Sequence, residues 1–162
     1  MIIGNGDIAS VLNDRDNALF FVSGVSNSSE MDERNYQREV DLLNEQDTSL
    51  CIFYISTISI NYLDNRDNRY VRHKIYMEEL IKSKFKNYNI IRIGNITWGN
   101  NPHTFINYIR NKMKDNKSVL INDEYRFILN VEQLLLLTDN LPLVGKNEIS
   151  AFGSMKKVKD II

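Results

Sequence analysis

Short, unbroken apolar runs separated by amphipathic segments constrain the fold of this chain more than any other feature. Residues 18–22 and 50–55 are apolar throughout, as expected of strands that are buried on both faces. Between them, residues 32–44 carry apolar side chains at helical spacing among charged ones, which is typical of a helix that packs one face on a sheet. This alternation predicts parallel strands joined by right-handed crossovers, with helices on both faces of the sheet.

The same signals predict the remaining elements. Residues 1–4 can supply a very short first strand, and residues 8–12 fit the start of a helix. Further strands are expected at 89–93, 125–130 and 145–149, and further helices at 70–84, 104–113, 132–138 and 155–162. Residues 62–69 are polar and predict a loop. We therefore expect a single domain over residues 1–162, built on about five parallel strands.

Charge and cysteine content exclude several classes of protein. The 162 residues carry a formal net charge of −1 with dispersed basic residues, so we expect neither nucleic acid nor an anionic membrane as a partner. Cys51 is the only cysteine and lies in an apolar run, which favours a small buried side chain over a reactive thiol. No apolar run is long enough to cross a bilayer. We expect a soluble, cytoplasmic protein.

Tyr70 and Lys74 are the first candidate catalytic residues. They are four positions apart and would lie on one face of the helix expected at residues 70–84. A lysine ammonium there would favour the phenolate of the tyrosine, whose usual pKa is about 10, and would make it a better proton-transfer group near neutral pH. The alternative is an amphipathic helix with an exposed lysine.

Two further motifs precede this pair. The chain opens on Gly4-Asn5-Gly6-Asp7-Ile8-Ala9, a Gly-x-Gly-x-x-Ala turn that could bring backbone amides to a pyrophosphate. The alternative is a tight strand-to-helix turn with no ligand. Clustered hydroxyls follow the apolar run at 50–55. Among them, Thr57 fits two interpretations equally well: a hydroxyl that serves a functional site, and a β-branched residue at the end of a strand.

Taken in this order, and followed by Arg92-Ile93-Gly94-Asn95, these features resemble the short-chain dehydrogenase/reductase superfamily. The likeness is to its extended branch of sugar-nucleotide epimerases, dehydratases and reductases. It implies a reduced Rossmann-type α/β fold, a doubly wound parallel sheet, with residues 120–162 as the remnant of the substrate-binding segment. It also implies NAD or NADP as the cofactor, a nucleotide-linked sugar as the substrate, and a homodimer built from the helices at 32–44 and 70–84.

The resemblance implies roles for individual residues. Thr57 would hydrogen-bond the substrate oxygen, with Ser56 and Ser59 as alternates, and Tyr70 would be the general acid or base. Lys74 would lower the pKa of the tyrosine and bind the nicotinamide ribose. The implied cofactor-binding residues are Gly4, Gly6, Asp7, Ile8, Ala9, Ser23, Gly24, Lys74 and Asn95. Trp98 is either a pocket wall or a packing residue. We expect His73 and His103 at the surface, and no metal site.

The chain also departs from the family pattern. In full-length members, two more strands lie between the glycine turn and the strand that corresponds to residues 18–22. A carboxylate that holds the adenosine ribose is expected roughly 20 residues past the glycines, but Glu30 and Asp32 lie beyond a Ser/Asn loop. The choice between NAD and NADP therefore stays open. Ser59 stands where some dehydratases carry an acid, which counts against dehydration.

Three functional hypotheses remain. The first is an NAD(P)-dependent reductase or epimerase that acts on a nucleotide-linked sugar through Thr57, Tyr70 and Lys74. The second is a non-catalytic domain of the same ancestry that binds a nucleotide or a partner subunit, which the missing strands favour. A flavodoxin-like regulatory domain ranks last, because the sequence lacks the acidic cluster expected of one.

Overall fold

A computed structural model describes residues 1–65, 67–115 and 124–161 of the chain. Its main sheet has five parallel strands: β1 (Ile2–Ile3), β2 (Ala18–Phe21), β3 (Cys51–Thr57), β4 (Tyr88–Ile93) and β7 (Lys146–Ala151). They lie in the order β1-β2-β3-β4-β7. The expected α/β fold on about five parallel strands is confirmed.

Helices cover both faces of this sheet. The helices are α1 (Glu33–Asn44), α2 (Arg69–Lys84), α3 (Phe105–Lys114) and α4 (Val131–Asn140). Successive strand residues point to opposite faces, so Phe21 and Tyr54 pack in one core cluster with Leu43 of α1 and Met77 of α2. Strand residues that point to the opposite face of the sheet, such as Phe20 and Phe53, pack in a second cluster with Leu134 of α4. Because both of their faces are buried, β2 and the first five residues of β3 are apolar throughout, as the sequence indicated.

Local side-chain chemistry sets where the helices begin. Asp32 accepts a hydrogen bond from the backbone N–H of Arg34 at the start of α1, and Asn68 accepts one from Val71 at the start of α2. Asn130 and Gln133 form a reciprocal capping box at the start of α4. The start of α2 determines where Tyr70 and Lys74 lie.

A second, three-stranded sheet corrects one prediction. It contains β5 (Asn95–Ile96), β6 (Tyr125–Leu129) and β8 (Ser154–Lys157), with β5 parallel and β8 antiparallel to β6. The helix expected at residues 155–162 is therefore wrong: β8 occupies its first part, and a 3-10 turn follows at Val158–Asp160. Pairing with β8 satisfies backbone groups of β6 that would otherwise lack a partner, and that gain outweighs weak helical periodicity.

The connection between β1 and β2 differs from the prediction too. Residues 4–17 contain a single three-residue 3-10 turn, Ala9–Val11, in place of the start of a helix. The first glycine is required by the sheet, since a Cβ atom on Gly4 would lie 2.7 Å from the carbonyl oxygen of Val22. Within the described residues no strand pairs with the outer side of β1, which is the edge of the sheet. Among the residues that the structure describes, no helix is long and apolar enough to cross a membrane.

Candidate functional site

Thr57 and Tyr70 meet at the carboxyl edge of the main sheet. Thr57 is the last residue of β3, and Tyr70 lies in the first turn of α2. The Thr57 side chain lies close enough to the Tyr70 hydroxyl to lower the pKa of Tyr70, and Thr57 Oγ1 accepts the backbone N–H of Ser59 at 3.2 Å. The neighbouring Ser56 hydroxyl is buried and has no hydrogen-bond partner among the described residues. Of the three hydroxyls, Thr57 is the one that contacts the tyrosine.

Lys74 lies one turn further along α2, beneath Tyr70. Its Nζ atom is 5.8 Å from the centre of the Tyr70 ring. The ammonium donates to the Tyr54 hydroxyl at 3.0 Å and to Glu39 Oε1 at 3.3 Å. The side chain is buried, so its charge is balanced inside the protein by the carboxylate of Glu39.

Glu39, on α1, is the centre of this buried cluster. Its Oε1 atom accepts the Tyr54 hydroxyl at 2.9 Å, and its Oε2 atom accepts the backbone N–H of Val25 at 2.8 Å. The Nε2 atom of His73 lies 2.9 Å from the same Oε2. Burial raises the pKa of Glu39, but Lys74, His73 and the Val25 amide outweigh it and lower this pKa to about 2. Glu39 is therefore a buried carboxylate anion at neutral pH.

The expectation that His73 lies at the surface is wrong. Its side chain is only 9% exposed, and its ring packs 4.6 Å from that of Tyr36, centre to centre. A buried imidazole needs a polar partner, and Glu39 supplies one. His103 is exposed, as expected.

The environment keeps Tyr70 in its protonated form. Burial raises the pKa of the Tyr70 phenol above its usual value, and Glu39 raises it further, while Lys74 and the Thr57 hydrogen bond lower it only in part. Burial likewise raises the pKa of Tyr54 well above its usual value. Near neutral pH, Tyr70 can therefore donate a proton but is a weak base.

Gly24 lies directly against this cluster. A Cβ atom there would lie 2.5 Å from Glu39 Oε1 and 2.7 Å from Lys74 Nζ. Any larger residue would have to displace these two groups, which are both buried. Gly24 also borders a cleft of about 230 Å³ between the loop after β2, the start of α1 and His103. Ser23 lies beside it, where Arg38 donates to its backbone oxygen at 2.8 Å.

The glycine turn contacts another loop of the protein. Asp7 accepts the backbone N–H groups of Asn100 and Asn101 at 3.0 and 2.9 Å. The indole of Trp98 donates to the carbonyl oxygen of Asp7 at 2.9 Å, so this tryptophan packs against the turn. The structure therefore places Gly4, Gly6, Asp7, Ile8 and Ala9 together, in a turn whose carboxylate holds the loop at residues 98–101.

Asn95 and Arg92 make contacts away from the Thr57–Tyr70 pair. Asn95 donates to the carbonyl oxygen of Phe127 at 3.2 Å, across the second sheet. The Arg92 guanidinium lies between the carboxylates of Glu78 and Glu148. In this structure both residues join elements of the fold. The structure thus brings together Thr57, Tyr70, Lys74 and Gly24, while the Asn95 side chain bonds across the second sheet.

Sequence reasoning missed Glu39 and Tyr54. A usable signal exists for the first: Glu39 lies on the same stripe of α1 as the buried Tyr36 and Leu43, and a carboxylate on an apolar stripe requires a buried partner. Tyr54 lies inside an apolar strand, and nothing in the sequence distinguishes its hydroxyl from that of any packed tyrosine.

Comparisons with solved structures place the fold in a known group. The chain superposes on the capsular polysaccharide assembling protein CapF of Staphylococcus aureus with a TM-score of 0.60 and 18% identity, covering 90% of this chain and 44% of that one. It superposes on MoeE5 in complex with UDP-glucuronic acid and NAD with a TM-score of 0.65 and 13% identity, covering 90% and 60%. It matches the UDP-glucose 4-epimerase of Thermus thermophilus in complex with NAD with a TM-score of 0.61 and 15% identity, covering 90% and 59%.

No protein-family model matches the sequence, and neither does any curated protein. The chain spans between 44% and 60% of the length of the three structures named above. At these identities the likeness establishes the fold. The expected Rossmann-type fold is therefore confirmed, and the chain has it in a shortened form.

Proposed function

We propose that this protein is an NAD(P)-dependent oxidoreductase or epimerase that acts on a nucleotide-linked sugar. The observation that carries the proposal is the position of the Lys74 ammonium 5.8 Å from the centre of the Tyr70 ring, with Thr57 at the end of the neighbouring strand in contact with the same tyrosine. Ligands of open α/β sheets bind at that edge. The fold neighbours crystallised with NAD and UDP-glucuronic acid support the same class of ligand.

Each of the three residues would have a distinct role. Tyr70 would donate a proton to an oxygen of the sugar, since its phenol is protonated near neutral pH. Thr57 would hold the same oxygen through its hydroxyl, and Lys74 would hold a ribose hydroxyl beside the tyrosine. Bound nicotinamide would supply or accept the hydride. The phenol form of Tyr70 is the form that can give a proton to a carbonyl oxygen during its reduction.

The first prediction tests Tyr70. Tyr70→Phe should lower turnover of a UDP-sugar about 10²-fold or more, with nicotinamide cofactor affinity nearly unchanged, because only the proton relay is removed. Lys74→Ala should weaken both turnover and cofactor binding. Tyr76→Phe is the matched control, since Tyr76 lies on the same helix and is 53% exposed. If the Tyr70→Phe variant turns over the UDP-sugar as fast as the Tyr76→Phe variant does, the assignment of Tyr70 as a catalytic residue is wrong.

A second candidate function rests on the contacts of Lys74. Its ammonium already pairs with Glu39, and within the described residues the sheet lacks strands beyond β1. These two observations favour a non-catalytic domain of the same ancestry. Thermal shift with NADH and UDP-sugars separates the two functions, because a ligand at about 100 times its dissociation constant adds about 2.7 kcal/mol. Stabilisation by UDP-sugar alone, without turnover, would favour the second candidate.

A further inference from the structure

We infer that this chain binds only the nicotinamide half of the dinucleotide, and that the adenylate half makes no contact that contributes to affinity. The inference rests on the proposed function and goes beyond it, because it divides the cofactor into a half that is bound and a half that is not. The division follows from strand order, from the residues at the glycine turn and from the residues around Tyr70.

Strand order removes the adenosine side of the crevice. A complete dinucleotide-binding sheet places its first strand in the middle, and the ligand lies across the point where strand order reverses. Here the order β1-β2-β3-β4-β7 runs in one direction, and β1 is the edge. The interval between β1 and β2 is fully described and holds only the turn at Ala9–Val11. The described residues therefore form the crevice wall on one side of β1 alone.

The glycine turn is also unsuited to a pyrophosphate. Anion binding there depends on the N-terminal amides and the dipole of a following helix, and a three-residue 3-10 turn supplies little of either. Asp7 adds a carboxylate to the same turn and uses it to accept the amides of Asn100 and Asn101. A pyrophosphate that approached this turn would meet the Asp7 carboxylate and would lack the N-terminus of an α-helix.

The nicotinamide side, by contrast, is built. The Thr57 side chain contacts Tyr70 at the strand end and lowers its pKa, and Lys74 lies beneath the tyrosine ring. The backbone of Gly24 lies directly against Lys74 and Glu39, where a Cβ atom would not fit. A nicotinamide ring with its ribose would lie against this group of residues. The chain therefore keeps the residues that contact the reactive end of the cofactor.

Saturation-transfer difference NMR of the whole protein with NAD⁺ tests this directly, since it shows which ligand protons contact the protein. We expect saturation of the nicotinamide protons and little on the adenine protons. Nicotinamide mononucleotide should displace NAD⁺ with a dissociation constant within about threefold of that of NAD⁺ itself. ADP-ribose, which carries the adenylate half and the pyrophosphate, should displace neither NAD⁺ nor nicotinamide mononucleotide.

The possible outcomes separate this inference from the proposed function. Adenine protons saturated as strongly as those of nicotinamide, together with displacement by ADP-ribose, would overturn the inference and leave the proposed function standing. Absence of saturation on both ends, with no displacement by any of the three ligands, would overturn both. Nicotinamide saturation without adenine saturation supports both.

Discussion

At the scale of single residues, Gly24 shows how a glycine whose φ is not positive can be required. Because it has no side chain, its backbone can lie against Glu39 Oε1 and Lys74 Nζ, two groups that are themselves buried. Gly6 offers the opposite case, since a Cβ atom there would have no neighbour within 4 Å. The two glycines therefore make a matched pair for substitution.

Gly24→Ala should destabilise the protein by about 1–3 kcal/mol, because the added methyl group must displace buried charged side chains. It should also weaken binding of nicotinamide mononucleotide. Gly6→Ala should change stability by no more than about 0.5 kcal/mol. Urea unfolding of both variants measures the difference, and equal midpoints would show that the space beside Gly24 is not constrained.

At the scale of elements, Glu39 joins four parts of the fold. It lies on α1 and contacts Lys74 and His73 of α2, Tyr54 of β3 and the loop after β2 through Val25. A buried carboxylate with this many donors holds the elements in one arrangement. The position of Lys74, and hence of the candidate site, depends on it.

Glu39→Gln should lower the free energy of unfolding at pH 7 by about 3–5 kcal/mol, because it leaves Lys74 buried without a counter-charge. Adding Lys74→Met in the same chain should recover part of this loss. Denaturant unfolding of the single and double variants is the measurement. A double variant no more stable than Glu39→Gln would contradict the role of the ion pair.

The same group predicts an acid dependence of stability. The pKa of Glu39 is about 2 in the folded protein, below its usual 4.5, so its contribution is present above pH 4.5 and is lost as pH falls through 2. Wild-type stability should therefore decrease by roughly 3 kcal/mol more than that of Glu39→Gln across this interval. Parallel pH profiles of the two proteins would contradict this.

At the scale of the whole molecule, α1 and α2 lie side by side on one face of the sheet. Arg69 of α2 pairs with Glu33 of α1, and Glu39 joins the two helices further along. Tyr76 points outward from α2 and is 53% exposed. Exposed aromatic side chains are typical of protein interfaces.

We therefore keep the prediction of a homodimer formed through α1 and α2. Light scattering at micromolar concentration should give the mass of two chains. Tyr76→Glu should give the mass of one, because it buries a charge in the interface, while far-UV circular dichroism stays unchanged. A wild-type protein that runs as a monomer would remove this prediction.

The sequence by itself was sufficient for most of the main sheet and for placing Tyr70 and Lys74 on one face of a helix. Buried parallel strands need unbroken apolar runs, and a four-residue interval fixes which side chains share a helix face. The same kind of local pattern failed at β8, whose weak helical periodicity yielded to backbone pairing with β6.

Only the tertiary structure decided how Lys74 is used. Glu39 and Tyr54 are distant from it along the chain, and their contacts with its ammonium arise from the packing of α1 and α2 on the sheet. Asp7 is likewise distant along the chain from its partners Asn100 and Asn101, which lie in the loop between β5 and α3. Electrostatic environment depends on distances in space, and the spacing of residues along a chain does not contain those distances.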